Sequence, residues 1–153
     1  HFENVFENIE KNNFPEWLYT FRSIIDKNDD YQCYDHCESL GHLSHTCLNY
    51  DDYLVDVNCY ILRRDTAVSC SPIWYRKARP EGMLEVDREM FKILSKNRQK
   101  FSIVPYHSVL YRTGNREDSV KTEFFLNGNQ AISNLYGSDF IENKILKIRE
   151  DSS

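Results

Sequence analysis

No run of apolar residues in this sequence is long enough to cross a bilayer. No leader pattern stands at its amino end, and no Asn-x-Ser/Thr sequon occurs anywhere. No helical membrane span is thus expected within this sequence, and the expected compartment is the cytoplasm or nucleus; the alternative is a secreted domain already freed of its leader. Internal repeats and low-complexity tracts are also missing, which excludes a solenoid or a disordered tail. There is no glycine-rich phosphate loop and no nucleophile elbow. Acidic residues stand singly or in runs such as Asp29-Asp30 and Asp51-Asp52. The second run could take a hard cation, although a solvated charge run explains it as well. One enzymatic combination remains, a cysteine nucleophile with a histidine base, in which His107 or His42 would serve Cys70 or Cys47. No flanking motif supports it, and the reading is a non-catalytic module whose catalytic partner domain, if any, lies outside this chain.

What is present is a globular composition. Of 153 residues, 41% are hydrophobic and 14% aromatic, enough to bury a core without staples. The length suits one domain over 1–153, with room for an insertion at 63–100. Charge is uneven. Residues 1–59 hold 12 acidic and 3 basic side chains, a balance of −9, whereas residues 60–153 hold 12 and 16, a balance of +4. A polyanion would therefore meet the second half.

Apolar spacing gives the elements. Phe2, Val5, Phe6 and Ile9 recur at helical intervals, and Trp17, Leu18, Phe21, Ile24 and Ile25 do so after Pro15, so residues 1–30 read as two short helices. Tyr53, Val55, Val57, Cys59 and Ile61 alternate with their neighbours, which predicts a strand with Cys59 in the core. Met83, Val86, Met90, Ile93 and Leu94 predict a further helix, followed by strands at 101–104, 109–112 and 120–126, the last closed by an Asn127-Gly128 hairpin turn. The fold class is α+β: amino-terminal helices, a Cys/His-rich loop over 31–50, then a mostly antiparallel sheet with one further helix. The two amino-terminal helices carry more large apolar surface than they can bury against each other. Phe6, Trp17 and Phe21 are therefore candidate contacts for a protein partner.

Cys33, Cys37, His42 and Cys47 are spaced C-x3-C-x4-H-x4-C. Thiolate and imidazole are the ligands zinc takes in a tetrahedron, so these four are the candidate zinc site, with His36 and His45 as spare ligands. Two other fates stay open: disulfides with one cysteine left over, and ordinary buried thiols. Downstream, Arg76, Lys77 and Arg79 follow Trp74 and Tyr75, with Arg63 and Arg64 before them. Cations for phosphate beside aromatic faces for unstacked bases suit single-stranded RNA. The plain alternative is a loop whose Trp74 tucks into the core.

The Cys33–Cys47 stretch, with its Gly41-His42 pair, resembles the CCHC zinc knuckle of nucleic-acid-binding proteins, with one residue more between the first two cysteines. The order of elements also resembles the zinc-ribbon domain appended to animal three-prime-to-five-prime exoribonucleases of small-RNA pathways. There Tyr31 to Cys37 would be the first ligand pair, and 124–132 with Tyr136-Gly-Ser-Asp-Phe140 the closing hairpin. Asn127 and Asn129 stand where that family has its second cysteine pair and Asp139 where it has a histidine. The resemblance implies RNA holding or protein docking beside a nuclease, with zinc left to Cys33, Cys37, His42 and Cys47.

Overall fold

The computed structural model describes residues 2–46, 53–74, 86–98, 100–114, 117 and 119–151. Its elements in chain order are α1 (Phe2–Lys11), β1 (Trp17–Ile25), β2 (Tyr31–Tyr34), short 3-10 turns at Gly41–Thr46 and Val57–Cys59, β3 (Tyr60–Leu62), α2 (Arg64–Trp74), α3 (Val86–Asn97), β4 (Phe101–Arg112), α4 (Thr122–Tyr136) and α5 (Phe140–Asp151). The fold is α+β, an amino-terminal helix followed by a four-stranded, mostly antiparallel sheet. β1 is its axis. β3 pairs antiparallel with the start of β1 and β2 antiparallel with its end, while β4 runs parallel along the whole of its other edge.

The second expected helix is therefore the central strand. All nine residues of β1 are buried, so neither face shows the alternation that marks a half-exposed strand. Its polar members are buried with partners: Thr20 Oγ1 donates to Tyr106 O at 2.5 Å and Thr113 N closes the far end on Ile25 O at 2.9 Å. With apolar and satisfied polar residues mixed, the spacing imitates a helix, whereas the composition, rich in aromatic and β-branched residues, suits a strand. On one side Trp17, Tyr19 and Phe21 meet Leu40, Val55, Cys59, Cys70, Met90, Phe91 and Leu94, which brings in α2 and α3; on the other, Leu18 and Val104 meet Val5 of α1.

Two more expectations change. The strands read at 101–104 and 109–112 are one strand, β4, interrupted at Pro105, where the register against β1 slips between Thr20 and Phe21 and again before Arg22. Proline lacks the N–H a ladder needs, and a bulge accommodates it. The 120–126 strand and its Asn127-Gly128 hairpin are instead helix α4, which runs through both residues. Gly128 is there for contact rather than for a turn: a Cβ at that position would lie 2.5 Å from Cys37 Sγ. The residues expected as one strand over 53–62 form β3 only at 60–62, because Asp56 turns inward and caps the 3-10 turn through Asn58 N at 2.9 Å. Residues 64–74 are helix α2, with Pro72 inside it, so Trp74 ends a helix and not a loop.

Gly41 sits at φ +54, and an added Cβ would lie 2.6 Å from Tyr19 Cζ and 2.8 Å from Val55 Cγ2. Left-handed strain of about 1–2 kcal/mol adds to overpacking of about 1–3 kcal/mol. Gly41→Ala is thus expected to lower stability by roughly 2 kcal/mol or more, read as a fall in the urea midpoint at unchanged slope.

Candidate functional site

The loop after β2 is organised by one buried arginine. Arg22 Nε donates to Asp35 Oδ2 at 2.7 Å, Nη1 to Asp56 Oδ2 at 2.7 Å, and Nη2 to Glu38 Oε2. Its side chain is 3% exposed, and the guanidinium lies 4.3 Å over the Tyr111 ring and 5.1 Å over that of Phe125. Asp35 also accepts from the backbone N–H groups of Cys37, Glu38 and Ser39. Burial alone would raise the Asp35 carboxyl, but the Arg22 charge and these donors hold it below the usual range. Glu38 goes the other way, because burial outweighs Arg22 there.

That wrapped loop fixes His36. Its backbone N–H donates to Asn129 Oδ1 at 2.9 Å, and Asn129 Nδ2 donates to Tyr34 O at 2.7 Å, so α4 clamps the loop from outside. His36 Nε2 then reaches Glu142 Oε1 of α5 at 2.6 Å, and His107 Nε2 of β4 stands 3.4 Å from the same oxygen. The His107 ring stacks on Tyr34 at 3.9 Å with 17° between planes, and lies 5.7 Å from Phe21. Burial pushes its pKa down to about 4, against the opposing pull of Glu142, so the ring is neutral at pH 7. Two imidazoles and a carboxylate from three separate elements meet here; among the described residues no other trio of His, Cys, Asp or Glu comes together with ligand spacing.

The knuckle residues do not converge. Cys33 pairs with Ile24 near the end of β1. His42 lies among Phe101 at 4.3 Å, Phe91 at 5.0 Å and Trp17 at 6.0 Å, beside the start of β1. Seven residues of strand, about 23 Å at about 3.3 Å each, separate those two places. Ligands of one zinc ion lie within about 4 Å of each other, given bonds of about 2.0–2.3 Å. His42 is thus a member of the aromatic core. Cys37 faces Gly128 of α4, and burial, then Asp35 and Glu38, push its thiol pKa strongly upward. Cys47 lies outside the described residues. Cys59 and Cys70 are buried core thiols, and Cys59 was so expected.

The other predicted contacts are scattered. Trp17 and Phe21 are fully buried in β1 and cannot meet a partner; Phe6 of α1 is 62% exposed. Arg63 is taken by its own chain, Nε on Asp65 Oδ1 at 2.7 Å with Glu16 beyond at 3.7 Å. Arg64 opens α2 in solvent, and Trp74 packs partly against the core. Tyr75, Arg76, Lys77 and Arg79 lie outside the described residues.

A second feature lies at the α1–β1 junction. Ile9, Phe14, Pro15, Leu18, Ile61, Leu62 and Arg63 line an apolar groove of about 210 Å³. Phe14 stands at its mouth, 60% exposed. After α1, Phe14 N donates to Ile9 O at 2.9 Å and Asn13 N to Glu10 O at 3.1 Å, with both residues left-handed, at φ 52 and φ 50. Asn tolerates that conformation and Phe does not.

Sequence reasoning named His36 only as a spare ligand and His107 only as a base for a cysteine; it did not reach Glu142. No local signal pointed to the trio, whose members come together only through the fold. Comparison with protein-family models, curated proteins and solved structures finds no match for this chain. Among the described residues no helix is long and apolar enough to cross a membrane.

Proposed function

We propose that this chain is a non-catalytic docking module that takes an apolar side chain of a partner protein, flanked by basic residues, in the groove between α1 and β3. The observation that carries this reading is Phe14. A bulky residue held left-handed and exposed at the mouth of an apolar groove is strained and poorly solvated, and such strain is kept where it serves contact. Phe6 and the half-buried Ile9 extend the apolar surface along α1. The occupant's charge follows from the surroundings. Glu10, next to Ile9, is exposed, Arg63 is neutralised by the exposed Asp65, and Glu7 and Lys11 line a separate recess beside Arg149, so basic flanks are attracted and acidic ones repelled. Docking is also what the resemblance to the exoribonuclease-appended domain implies.

Phe14→Gly separates binding from stability. Glycine adopts the left-handed conformation without strain, which offsets its greater chain entropy and the lost ring contacts, so this variant should keep its stability to within about 1 kcal/mol of the parent. It should nonetheless bind a short lysine- and arginine-flanked phenylalanine peptide at least tenfold more weakly, since one buried phenylalanine contributes roughly 1.5–3 kcal/mol. Fluorescence anisotropy reads the binding, with the peptide's phenylalanine-to-alanine form as control. Equal binding by parent and variant, or none by either, sinks the reading. Binding of oligouridine RNA that disappears in Arg76→Ala with Arg79→Ala, and ignores Phe14, assigns the chain to nucleic acid instead.

A further inference from the structure

We propose that His36, His107 and Glu142 form a binding site for a zinc-class divalent metal ion, distinct from the Cys33–Cys47 motif and from the apolar groove. Three observations support it. First, the ligand atoms are already gathered: all three lie within 4.8 Å of one another, with His36 Nε2 at 2.6 Å and His107 Nε2 at 3.4 Å from Glu142 Oε1. Tetrahedral zinc with bonds of about 2.0–2.1 Å needs ligand atoms about 3.3 Å apart. Binding therefore opens the His36–Glu142 pair by under about 1 Å and draws the two imidazoles together by at most about 1.5 Å. Glu142 is the most exposed of the three side chains, at 31%, and can make that adjustment by rotation.

Second, His107 Nε2 is buried without a hydrogen-bond partner, on a side chain only 7% exposed. It stands 3.4 Å from Glu142 Oε1 without a hydrogen bond to it. Stacking on Tyr34 and contact with Phe21 hold the ring in place, so it cannot turn to water. A buried imidazole nitrogen left in this way is costly, and a cation between it and Glu142 satisfies both. Third, the ligands are held from behind. Asn129 grips the backbone at His36 and Tyr34, and the Arg22–Asp35 pair fixes the turn that carries His36. Such support is what keeps metal ligands oriented.

The chemistry of the donors selects the ion. Two imidazoles and one carboxylate suit zinc and its transition-metal neighbours, whereas calcium and magnesium want oxygen only. With three protein ligands the fourth position falls to water or to a donor from outside the chain. The ion ties the loop after β2, strand β4 and helix α5 together, so it fastens the carboxyl-terminal helix to the sheet.

The test is a zinc titration of the full chain after chelator treatment, followed by calorimetry, with cobalt(II) as a spectroscopic substitute. One ion per chain is expected. His107→Ala and Glu142→Gln should each weaken binding at least tenfold, while Cys33→Ser and His42→Ala leave it within twofold. Bound cobalt should lack the thiolate-to-metal charge-transfer band. Glu142→Gln keeps the side chain's size, and circular dichroism of each variant confirms that it is folded. Absence of binding by the parent chain, binding indifferent to His107 and Glu142, or a thiolate band lost with Cys33→Ser would overturn the assignment.

Discussion

Arg22→Ala is expected to remove roughly 3–5 kcal/mol of folding stability, the usual consequence of leaving buried charges without their partner. Here three carboxylates would be stranded, Asp35, Asp56 and Glu38, with Asp35 fully enclosed. Stabilities of domains of this size run at about 5–15 kcal/mol, so the variant should be largely unfolded in mild urea. Arg22→Lys should recover little, because a single ammonium cannot serve three carboxylates in a planar fork. The pH dependence has a definite sign. Asp35 has a folded pKa below its unfolded value, so its contribution is present above about pH 4 and disappears as pH falls through the lowered folded pKa. Glu38 has a raised folded pKa; its contribution is present below about pH 4 and is lost as pH rises through the raised value. In the Arg22→Ala chain the stranded carboxylates are relieved by protonation, so its deficit against the parent should shrink between pH 7 and pH 4. Urea midpoints at the two pH values measure this, and a deficit that grows on acidification would rule out the charge network as its cause.

Trp17→Ala should cost a similar amount, about 3–5 kcal/mol for a fully buried indole. The ring stacks on Phe101 at 5.2 Å, meets Phe91 edge-on at 6.1 Å, and its Nε1–H donates to Arg98 O at 2.7 Å. Deleting it opens a cavity where β1, α3 and β4 meet and orphans the Arg98 carbonyl. Phe6→Ala, on the exposed side of α1, should change stability by about 0.5 kcal/mol or less. Thermal unfolding of the two variants separates core from contact surface: a stable Trp17→Ala chain would restore Trp17 to the docking face, and the fold described here would be wrong at its centre.

The sequence by itself determined the composition-level properties and the locally periodic elements. The helices over Phe2–Lys11 and Val86–Asn97 were legible because each has one solvated face, which leaves the apolar residues at helical spacing. Cys59 is core as expected, but not for the expected reason: it closes a 3-10 turn instead of lying in an alternating strand. The centre of the fold was not legible. β1 is buried on both faces, so the strand alternation is lost and the apolar residues fall at helical spacing, and nothing in the sequence pointed to Arg22 as the meeting point of three distant acids. Asn127-Gly128 carries the strongest local turn signal in the chain, yet it lies inside α4, where the glycine answers to the closeness of Cys37 and not to a turn. The Cys/His stretch offered ligands close in sequence, but a strand's length separates Cys33 from His42. His36, His107 and Glu142 are remote in sequence, His36 and Glu142 by 106 positions, and only the tertiary structure brings them within reach. Local spacing reports which face of an element meets water; it carries no information about which distant side chains share a site, because the pairing of β1 with β2 and β4 and the docking of α5 on β4 make that choice.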